Sequence, residues 1–238
     1  MIRLRALHIY DAPDCAGLDI GQIAGYLASL LPPVVVDTRR DFFTHHLARF
    51  TPEQVEILTA ELSKRLAERE LAQADLDPEL GPVYDAAALQ DVLRPLLPQD
   101  ERDREHLHVV MLCSCLADRD SSGGVQLRIL QPGTPALIST TCLVEAPQLP
   151  REYLFRRAQL EAFGLHQYVE ELEDEFSART LGHADPRLTL VARGYALQAL
   201  FYHLFGESGC NCSTCPLYEA RDHDELMRAH LGPEAGLC

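Results

Sequence analysis

The stretch at residues 188–218, LTLVARGYALQALFYHLFGESGCNCSTCPLY, joins an apolar segment directly to a cluster of cysteines. Up to Gly206 its only charged side chain is Arg193, so a helix formed here must be buried on most of its sides. Asp185 and Pro186 just before it favour a helix start, and Gly206 is typical of a helix C-terminus. The stretch therefore predicts a core helix that ends immediately before a group of thiols.

Three of these thiols, from Cys210, Cys212 and Cys215, lie within a single short turn of chain after the helix. Thiolates bind zinc strongly, and turn residues between them allow several sulfurs to converge on one tetrahedral ion. A closed structural site needs a fourth ligand, which Cys238 or His203 could supply. Free thiols, an adventitious disulfide and an iron–sulfur cluster are the alternatives for the cysteines, and a hydrogen-bonded core histidine is the alternative for His203.

The first part of the chain predicts a strand, a helix and a second strand. Residues 3–11 read as a strand, Asp19 caps a helix that ends at Pro32 and Pro33, and 34–39 form the next strand. This order favours parallel pairing of the two strands. Together with the elements that follow, it predicts an α/β fold in which a mixed sheet is flanked by helices.

Downstream, apolar and β-branched runs divided by turn compositions predict three strands, at 106–118, 124–130 and 135–145. Turns are predicted between them, at 118–124 and 131–135. The remaining segments are predicted to be a helix that begins after Thr51, a loop at 73–83, a short helix at 85–97 that Pro95 kinks or ends, and a long helix or helix pair at 150–176 with Gly164 as the interruption.

The composition restricts the possible partners. The chain has 238 residues, of which 47% are hydrophobic, enough for one compact domain over 1–238 with a β-α-β part at 1–104 and a second part at 105–238. The formal charge of -15 and a single lysine, Lys64, argue against binding to a phosphate backbone, so no nucleic acid partner is expected.

The chain also lacks the signals of a membrane or secreted protein. No run approaches the length of apolar sequence that a membrane helix needs, and the N-terminal sequence has no signal-peptide pattern. We therefore expect a soluble, cytoplasmic protein with no membrane partner. In that compartment, metal ligands or free thiols are favoured over disulfides for the eight cysteines.

The C-terminal part of the chain resembles the archaemetzincins, zinc-dependent peptidases related to the metzincins. Their motif runs H-E-x-x-H-x-x-G-x-x-H-C, then four residues, C-x-M, a short spacer and C-x-x-C. In this chain His203, Gly206, Cys210 and Cys215 stand at matching positions. The likeness covers about residues 105–238, where the first and third predicted strands are similar to those that precede the active-site helix of that family. It implies a metzincin-like, that is zincin-like, C-terminal half.

The chain departs from this motif at the positions that perform hydrolysis. Ala199 stands at the first histidine, Leu200 at the catalytic glutamate, Gly209 at the third histidine and Leu217 at the methionine. Catalytic zinc needs about three protein ligands, an open position for water and a carboxylate that accepts the water's proton. One histidine cannot hold such an ion and Leu200 cannot act as a base, so conventional peptidase activity is not expected.

The second, cysteine-bound zinc that the resemblance implies is better preserved. Cys210, Cys215 and Cys238 correspond to three of the family's ligands, and Cys212, inside the four-residue spacer, can replace the fourth. We therefore predict a structural zinc ion held by these four cysteines, with His203 as a further candidate ligand.

The whole chain is also similar to a small prokaryotic group labelled as metallopeptidases, in which GYxLQAxFYHL followed by a C-x4-C pair is expected. The two resemblances imply a zinc-binding protein that acts as a structural or binding module for a protein or peptide. An active metal-dependent hydrolase with other ligands is the alternative, and an iron–sulfur or thiol redox protein is a third possibility.

Three other groups of side chains have both a structural and a functional interpretation. Cys113 and Cys115 are two apart in a predicted strand and therefore point to the same face, where they could join a redox or metal site. Because free cysteine is often buried, two buried thiols in a core strand are favoured. His106 and His108 share one strand face and could therefore bind a metal together, although a solvated strand start is favoured. The adjacent histidines at 45–46 have no partner that the sequence identifies.

Overall fold

The computed structural model describes residues 3–15, 17–68, 81–119, 124–207 and 209–238. Parts of two predicted segments, 73–80 of the loop and 120–123 of the first turn, lie outside the described residues. The described strands are β1 (Ala6–Tyr10), β2 (Val35–Arg39), β3 (Val83–Asp85), β4 (His106–Leu112), β5 (Cys115–Arg119), β6 (Val125–Arg128), β7 (Leu130–Gln131) and β8 (Ala136–Ser139). The described α-helices are α1 (Ile20–Leu30), α2 (Phe42–Leu47), α3 (Pro52–Ala67), α4 (Ala86–Leu93), α5 (Thr140–Glu145), α6 (Arg151–Ala162), α7 (Val169–Phe176), α8 (Leu188–Phe205) and α9 (His223–Leu231).

The strands form two sheets. The larger sheet has the order β2-β1-β4-β8-β7, in which only β7 runs antiparallel to its neighbour. The smaller sheet has the order β3-β5-β6, with β3 parallel and β6 antiparallel to β5. Both sheets are mixed and have helices packed against them, so the predicted α/β class is confirmed.

Each face of the larger sheet carries its own hydrophobic core. On one face, Leu7 and Ile9 of β1 and Val109 of β4 pack with α1 and α8. On the other face, Val110 of β4 and Leu137 of β8 pack with α2, α3 and α4. Successive residues of a strand point to opposite faces, so the parts of these strands that lie between the two cores carry apolar residues at successive positions, as at Val109 and Val110.

Several local signals of the sequence are confirmed. Asp19 accepts a hydrogen bond from the backbone N–H of Gln22 and caps α1. Thr51 forms a capping box at the start of α3. Gly164 has a positive φ between α6 and α7, and Gly206 adopts the left-handed conformation at the end of α8. Each of these signals depends on a few neighbouring residues, which is why the sequence alone is sufficient to predict it.

The prediction of one continuous strand at 106–118 is wrong. It breaks after Leu112 into β4 and β5, which belong to different sheets. The backbone carbonyls at the break are satisfied by side chains, because Thr140 and Thr141 donate to Leu112 and Cys113, and Ser139 donates to the next carbonyl. Side-chain hydroxyls from a distant segment therefore replace the hydrogen bonds of a continuous strand.

Two further predictions need correction. The strand predicted at 135–145 ends at Ser139, whose hydroxyl accepts the N–H of Cys142 and begins α5. Helix α8 begins at Leu188, not immediately after Asp185, because the Asp185 carboxylate accepts hydrogen bonds from the backbone and guanidinium of Arg187. No helix among the described residues combines the length and the apolar character that are needed to cross a membrane.

Helices α8 and α9 approach closely at Gly194. A Cβ atom added to Gly194 would lie 2.1 Å from Nδ1 of His230. The His230 ring stacks on Tyr195 with ring centroids 5.2 Å apart. His230 is buried, and neither of its ring nitrogens has a hydrogen-bond partner within the part of the chain that the structure describes. Burial lowers the pKa of His230 to about 4.

Replacement of Gly194 tests this contact. We expect Gly194→Ala to lower the free energy of unfolding by about 1–3 kcal/mol, because the new methyl group overlaps the His230 ring. Gly25→Ala, in α1, is the matched control, since nothing lies within 4 Å of a Cβ atom there. The control should gain about 0.5–1 kcal/mol from its helix propensity. Urea unfolding measures both changes, and a Gly194→Ala protein as stable as the wild type would contradict the contact.

The buried His230 also predicts a dependence of stability on pH. Its pKa is lower in the folded protein than the ordinary value of 6.5, so between these two values the unfolded chain binds a proton that the folded chain does not. The stability present above pH 6.5 is therefore lost as the pH falls towards 4. His230→Phe keeps a planar ring and removes the titration, so it should lose about 2–3 kcal/mol less than the wild type over this range. Thermal unfolding across the range measures the two slopes, and identical slopes would contradict the prediction.

Candidate metal centre

The cysteine loop after α8 is closed by its own backbone. The N–H of Cys210 donates to the carbonyl of Leu217 at 2.9 Å, and the N–H of Tyr218 donates to the carbonyl of Cys215 at 2.8 Å. The N–H of Cys215 in turn donates to the carbonyl of Cys212 at 3.0 Å. These bonds fold the chain back on itself and bring the first and last cysteines of the loop together.

Two further contacts hold this loop in place. Gln198 of α8 is buried, and its amide nitrogen donates to the carbonyl of Pro216 at 2.8 Å. At the other side, the N–H of Gly236 donates to the carbonyl of Thr214 at 3.2 Å. The loop is therefore fixed between the core helix and the C-terminal segment that carries Cys238.

Three thiols converge at this point. One sulfur each from Cys210, Cys215 and Cys238 lie within 4.8 Å of one another, and the sulfurs of Cys210 and Cys238 are 3.3 Å apart. Tetrahedral zinc with bonds of about 2.3 Å to sulfur needs sulfur–sulfur distances of about 3.8 Å. The donor chemistry and the spacing of these three residues therefore fit a zinc ion.

Hydrogen bonding favours the thiolate form at one of these sulfurs. The backbone N–H of Cys212, followed by the Cys238 thiol, lowers the pKa of Cys210 below its ordinary value. Hydrogen bonds with the thiol of Cys210, and then with that of Cys215, raise the pKa of Cys238 to about 12. The sulfurs of Cys210 and Cys238 face each other, and a metal ion bound between them would displace their thiol protons.

Cys212 lies beside this group rather than within it. It is outside the set of thiols that all lie within 4.8 Å of one another, and its sulfur is 3.3 Å from the hydroxyl oxygen of Thr214. The hydrogen bond from Thr214 is the main cause that lowers the pKa of Cys212, and the neighbouring Cys238 thiol contributes. Cys212 is therefore close to Cys238, although its sulfur is directed towards Thr214.

His203 is not brought to the cysteines. Its Nε2–H donates to the backbone carbonyl of Arg104 at 2.9 Å, and it belongs to neither group of potential metal ligands found among the described residues. Desolvation by burial lowers its pKa. The structure places this histidine as a link between the last turn of α8 and the segment that precedes β4.

The helix positions that carry catalytic residues in the motif face the core. Ala199 and Leu200 of α8 are 1% and 2% exposed, and both belong to the hydrophobic core against which this helix packs. Their side chains are surrounded by apolar residues rather than by an open cleft. A histidine or a glutamate introduced at these positions would therefore lie inside the hydrophobic core.

The preference for metal ligands or free thiols over disulfides is wrong for two of the cysteines. Cys15 and Cys113 are bonded to each other across 98 residues of sequence, and they line a cavity with Asp14, Thr140 and His183. Cys113 is exposed while Cys115 is buried, so the two do not share one strand face. The break between β4 and β5 separates them, and nothing local in the sequence predicts the partner of Cys113.

A second polar group was not predicted as a site. His8 of β1, His106 of β4 and Glu101 each have a ligand atom within 4.8 Å of the others. The predicted solvated position is wrong for His108, which is fully buried and has its pKa lowered to about 3 by desolvation. Arg39 lowers the pKa of Glu101 to about 2, so this carboxylate is charged at neutral pH. Alternating polar residues in three strands were the available sequence signal, but only the pairing of those strands brings them together.

Comparisons with known proteins identify the family. Among solved structures, the archaemetzincin from Methanopyrus kandleri aligns over 95% of this chain and 86% of its own, with 14% identity and a TM-score of 0.47. No significant match is found among curated proteins. The sequence matches the family DUF6775, described as a "Probable metallopeptidase family", over residues 3–238, as expected from the whole-chain resemblance to a group labelled as metallopeptidases. The chain therefore belongs to this probable metallopeptidase family along almost its entire length.

Proposed function

We propose that this protein holds a structural zinc ion with Cys210, Cys212, Cys215 and Cys238, and that it is a binding module rather than a conventional peptidase. The observation that carries the proposal is the convergence of three thiols at the junction between α8 and the C-terminal segment. Membership of a probable metallopeptidase family supports zinc as the metal. In this role zinc would fasten the C-terminal segment to the end of a core helix.

Cys212 completes the proposed ligand set. Zinc in structural sites is almost always bound by four ligands, and the three convergent thiols leave one position open. The hydroxyl of Thr214 is the present contact of the Cys212 sulfur, and a rotation of this side chain would exchange that weak contact for a zinc–sulfur bond. His203 is excluded from the proposed set because its Nε2 is occupied by the carbonyl of Arg104.

The absence of conventional hydrolysis rests on the helix itself. The two residues at the positions of the first histidine and the glutamate, Ala199 and Leu200, are apolar and buried. They offer neither a ligand for zinc nor a base for a bound water. Any peptidase activity of this chain would have to use other side chains in another place.

We further propose that the binding partner is a protein or peptide. The formal charge of -15 disfavours nucleic acid. Phe155 of α6 and Phe163 at its end expose 66% and 76% of their surfaces. Exposed aromatic side chains are enriched where proteins bind other proteins, and they support this class of partner.

Metal content tests the zinc site. Protein purified without a histidine tag should contain one equivalent of zinc more than the Cys210→Ala/Cys215→Ala variant, because two of the four ligands of the cysteine site are removed. Cys115→Ala is the matched control, since Cys115 and Cys215 are both 0% exposed and only Cys215 is in the cluster. Mass spectrometry of metals and the visible spectrum are the measurements. Unchanged zinc in the double variant would overturn the site, and iron with visible absorption would replace zinc by an iron–sulfur cluster.

Cys212→Ser tests the fourth ligand separately. Four ligands that share about 10–16 kcal/mol of binding free energy lose about 3 kcal/mol when one is removed, which corresponds to about two orders of magnitude in affinity. The variant should therefore still bind one zinc ion but release it to a much weaker chelator than the wild type. Competition with chelators of graded affinity measures the change. An affinity equal to that of the wild type would exclude Cys212 as a ligand.

A further inference from the structure

One face of the larger sheet carries a continuous polar network where β2, β1 and β4 lie side by side. His8 is paired in register with Asp37 of β2 on one side and with His108 of β4 on the other. Because alternate residues of a strand share a face, the same face also carries the side chains two positions away. These are Tyr10, Arg39 and His106.

Two imidazoles and a carboxylate meet in this network. Nε2 of His8 lies 3.1 Å from Nδ1 of His106, and a carboxylate oxygen of Glu101 completes a set of three ligand atoms within 4.8 Å of one another. The two rings are stacked with centroids 5.4 Å apart. His8 is buried, whereas His106 and Glu101 are partly exposed, so the group is reachable from solvent on one side.

Asp37 sets the orientation of the His8 ring. Its carboxylate oxygen lies 2.7 Å from Nδ1 of His8 and accepts that N–H. In neutral His8 the lone pair is then on Nε2, directed at His106. A carboxylate behind the outer nitrogen of an imidazole is the arrangement that orients histidine ligands in metal sites.

Glu101 is held in place in the same manner. Both of its oxygens accept hydrogen bonds from the guanidinium of Arg39, at 2.7 and 2.9 Å. Each carboxylate oxygen retains a further lone pair, since a carboxylate can accept about four contacts in total. The local charges of Asp37, Glu101 and Arg39 sum to about one negative charge, which favours a cation.

We propose that His8, His106 and Glu101 form a second metal site, for a divalent transition-metal ion of the zinc class. Imidazole nitrogens with one carboxylate are donors that suit such ions, whereas carboxylates alone would favour magnesium or calcium. Three protein ligands leave a coordination position open to water or to a ligand. The site is separate from the cysteine cluster in its residues, its donor atoms and its coordination number.

The neighbouring histidines do not belong to the site. Nε2–H of His108 donates to the backbone carbonyl of Glu101 at 2.8 Å, and its Nδ1 contacts the hydroxyl of Tyr10 at 3.0 Å. His46 contacts the same hydroxyl through Nε2 at 2.9 Å. Both ring nitrogens of His108 are therefore used, and neither His108 nor His46 belongs to the group of ligand atoms within 4.8 Å of one another. These residues support the fold of the network rather than bind a metal.

Cobalt titration of the full-length, tag-free protein, stripped of metal with a chelator, tests the proposal. The wild type should bind one equivalent of cobalt at the histidine site, without a thiolate charge-transfer band, in addition to any equivalent bound by sulfur. The Cys210→Ala/Cys215→Ala variant should keep the cobalt of the histidine site, and His8→Gln/His106→Gln should lose it. His45→Gln/His166→Gln removes two imidazoles outside the ligand set and should bind as the wild type does.

The outcomes separate this proposal from the cysteine site. A wild-type protein that binds cobalt at the histidines but not through sulfur would contradict only the structural zinc, because the histidine site contains no cysteine. Equal cobalt stoichiometry in His8→Gln/His106→Gln and the wild type would overturn the histidine site. A wild-type protein that binds cobalt only through sulfur would also overturn the histidine site. The histidines would then serve only as hydrogen-bonded parts of the fold.

Asp37→Asn provides a variant that keeps all three ligands. Asp37 is partly exposed, with 42% of its side chain accessible, and asparagine has nearly the same shape. Loss of the carboxylate behind a histidine ligand weakens metal binding by about 10–100-fold. Cobalt affinity reduced by this factor, with an unchanged circular dichroism spectrum, would support the site. An unchanged affinity would overturn the role of His8 as a ligand.

Discussion

The burial of α8 against the larger sheet is the constraint on which the rest of the structure depends. Almost every residue of this helix from 188 to 200 is buried, and each large apolar side chain placed there contributes about 1.5–3 kcal/mol. The helix packs with α1 over the strands that form the centre of the sheet. Its last turn, from 201 to 205, leaves this core and becomes partly exposed, so the chain that follows starts from a fixed position at the surface.

The parts of the fold that the sequence predicts are those set by neighbouring residues. The N-caps of α1 and α3 and the left-handed glycine after α8 need only a few adjacent side chains. The break after Leu112 and the helix that follows Ser139 are different, because each depends on the other. The apolar, β-branched composition of both segments is equally suitable for a strand, so no local pattern separates the two outcomes.

The same distinction applies to the candidate sites. Cys210 and Cys215 are close in sequence, and their spacing alone indicates a metal loop. The histidine group joins residues that are 98 positions apart, and it exists only because β1 and β4 are neighbours in a parallel sheet. The β-α-β order favours β2 as a neighbour of β1, but no local pattern identifies β4 as the other neighbour, so His8 could not be assigned its partner His106 in advance.

His203 connects the two proposed sites. Its imidazole holds the carbonyl of Arg104, and this residue lies between Glu101 and His106, the two ligands that the histidine site takes from this part of the chain. The same turn of α8 ends at Gly206 and leads directly into the cysteine loop. The one motif histidine that this chain keeps is therefore used as a hydrogen-bond donor that positions a segment. The last turn of α8 thus contacts the chain that carries Glu101 and His106, and it leads into the chain that carries the cysteines.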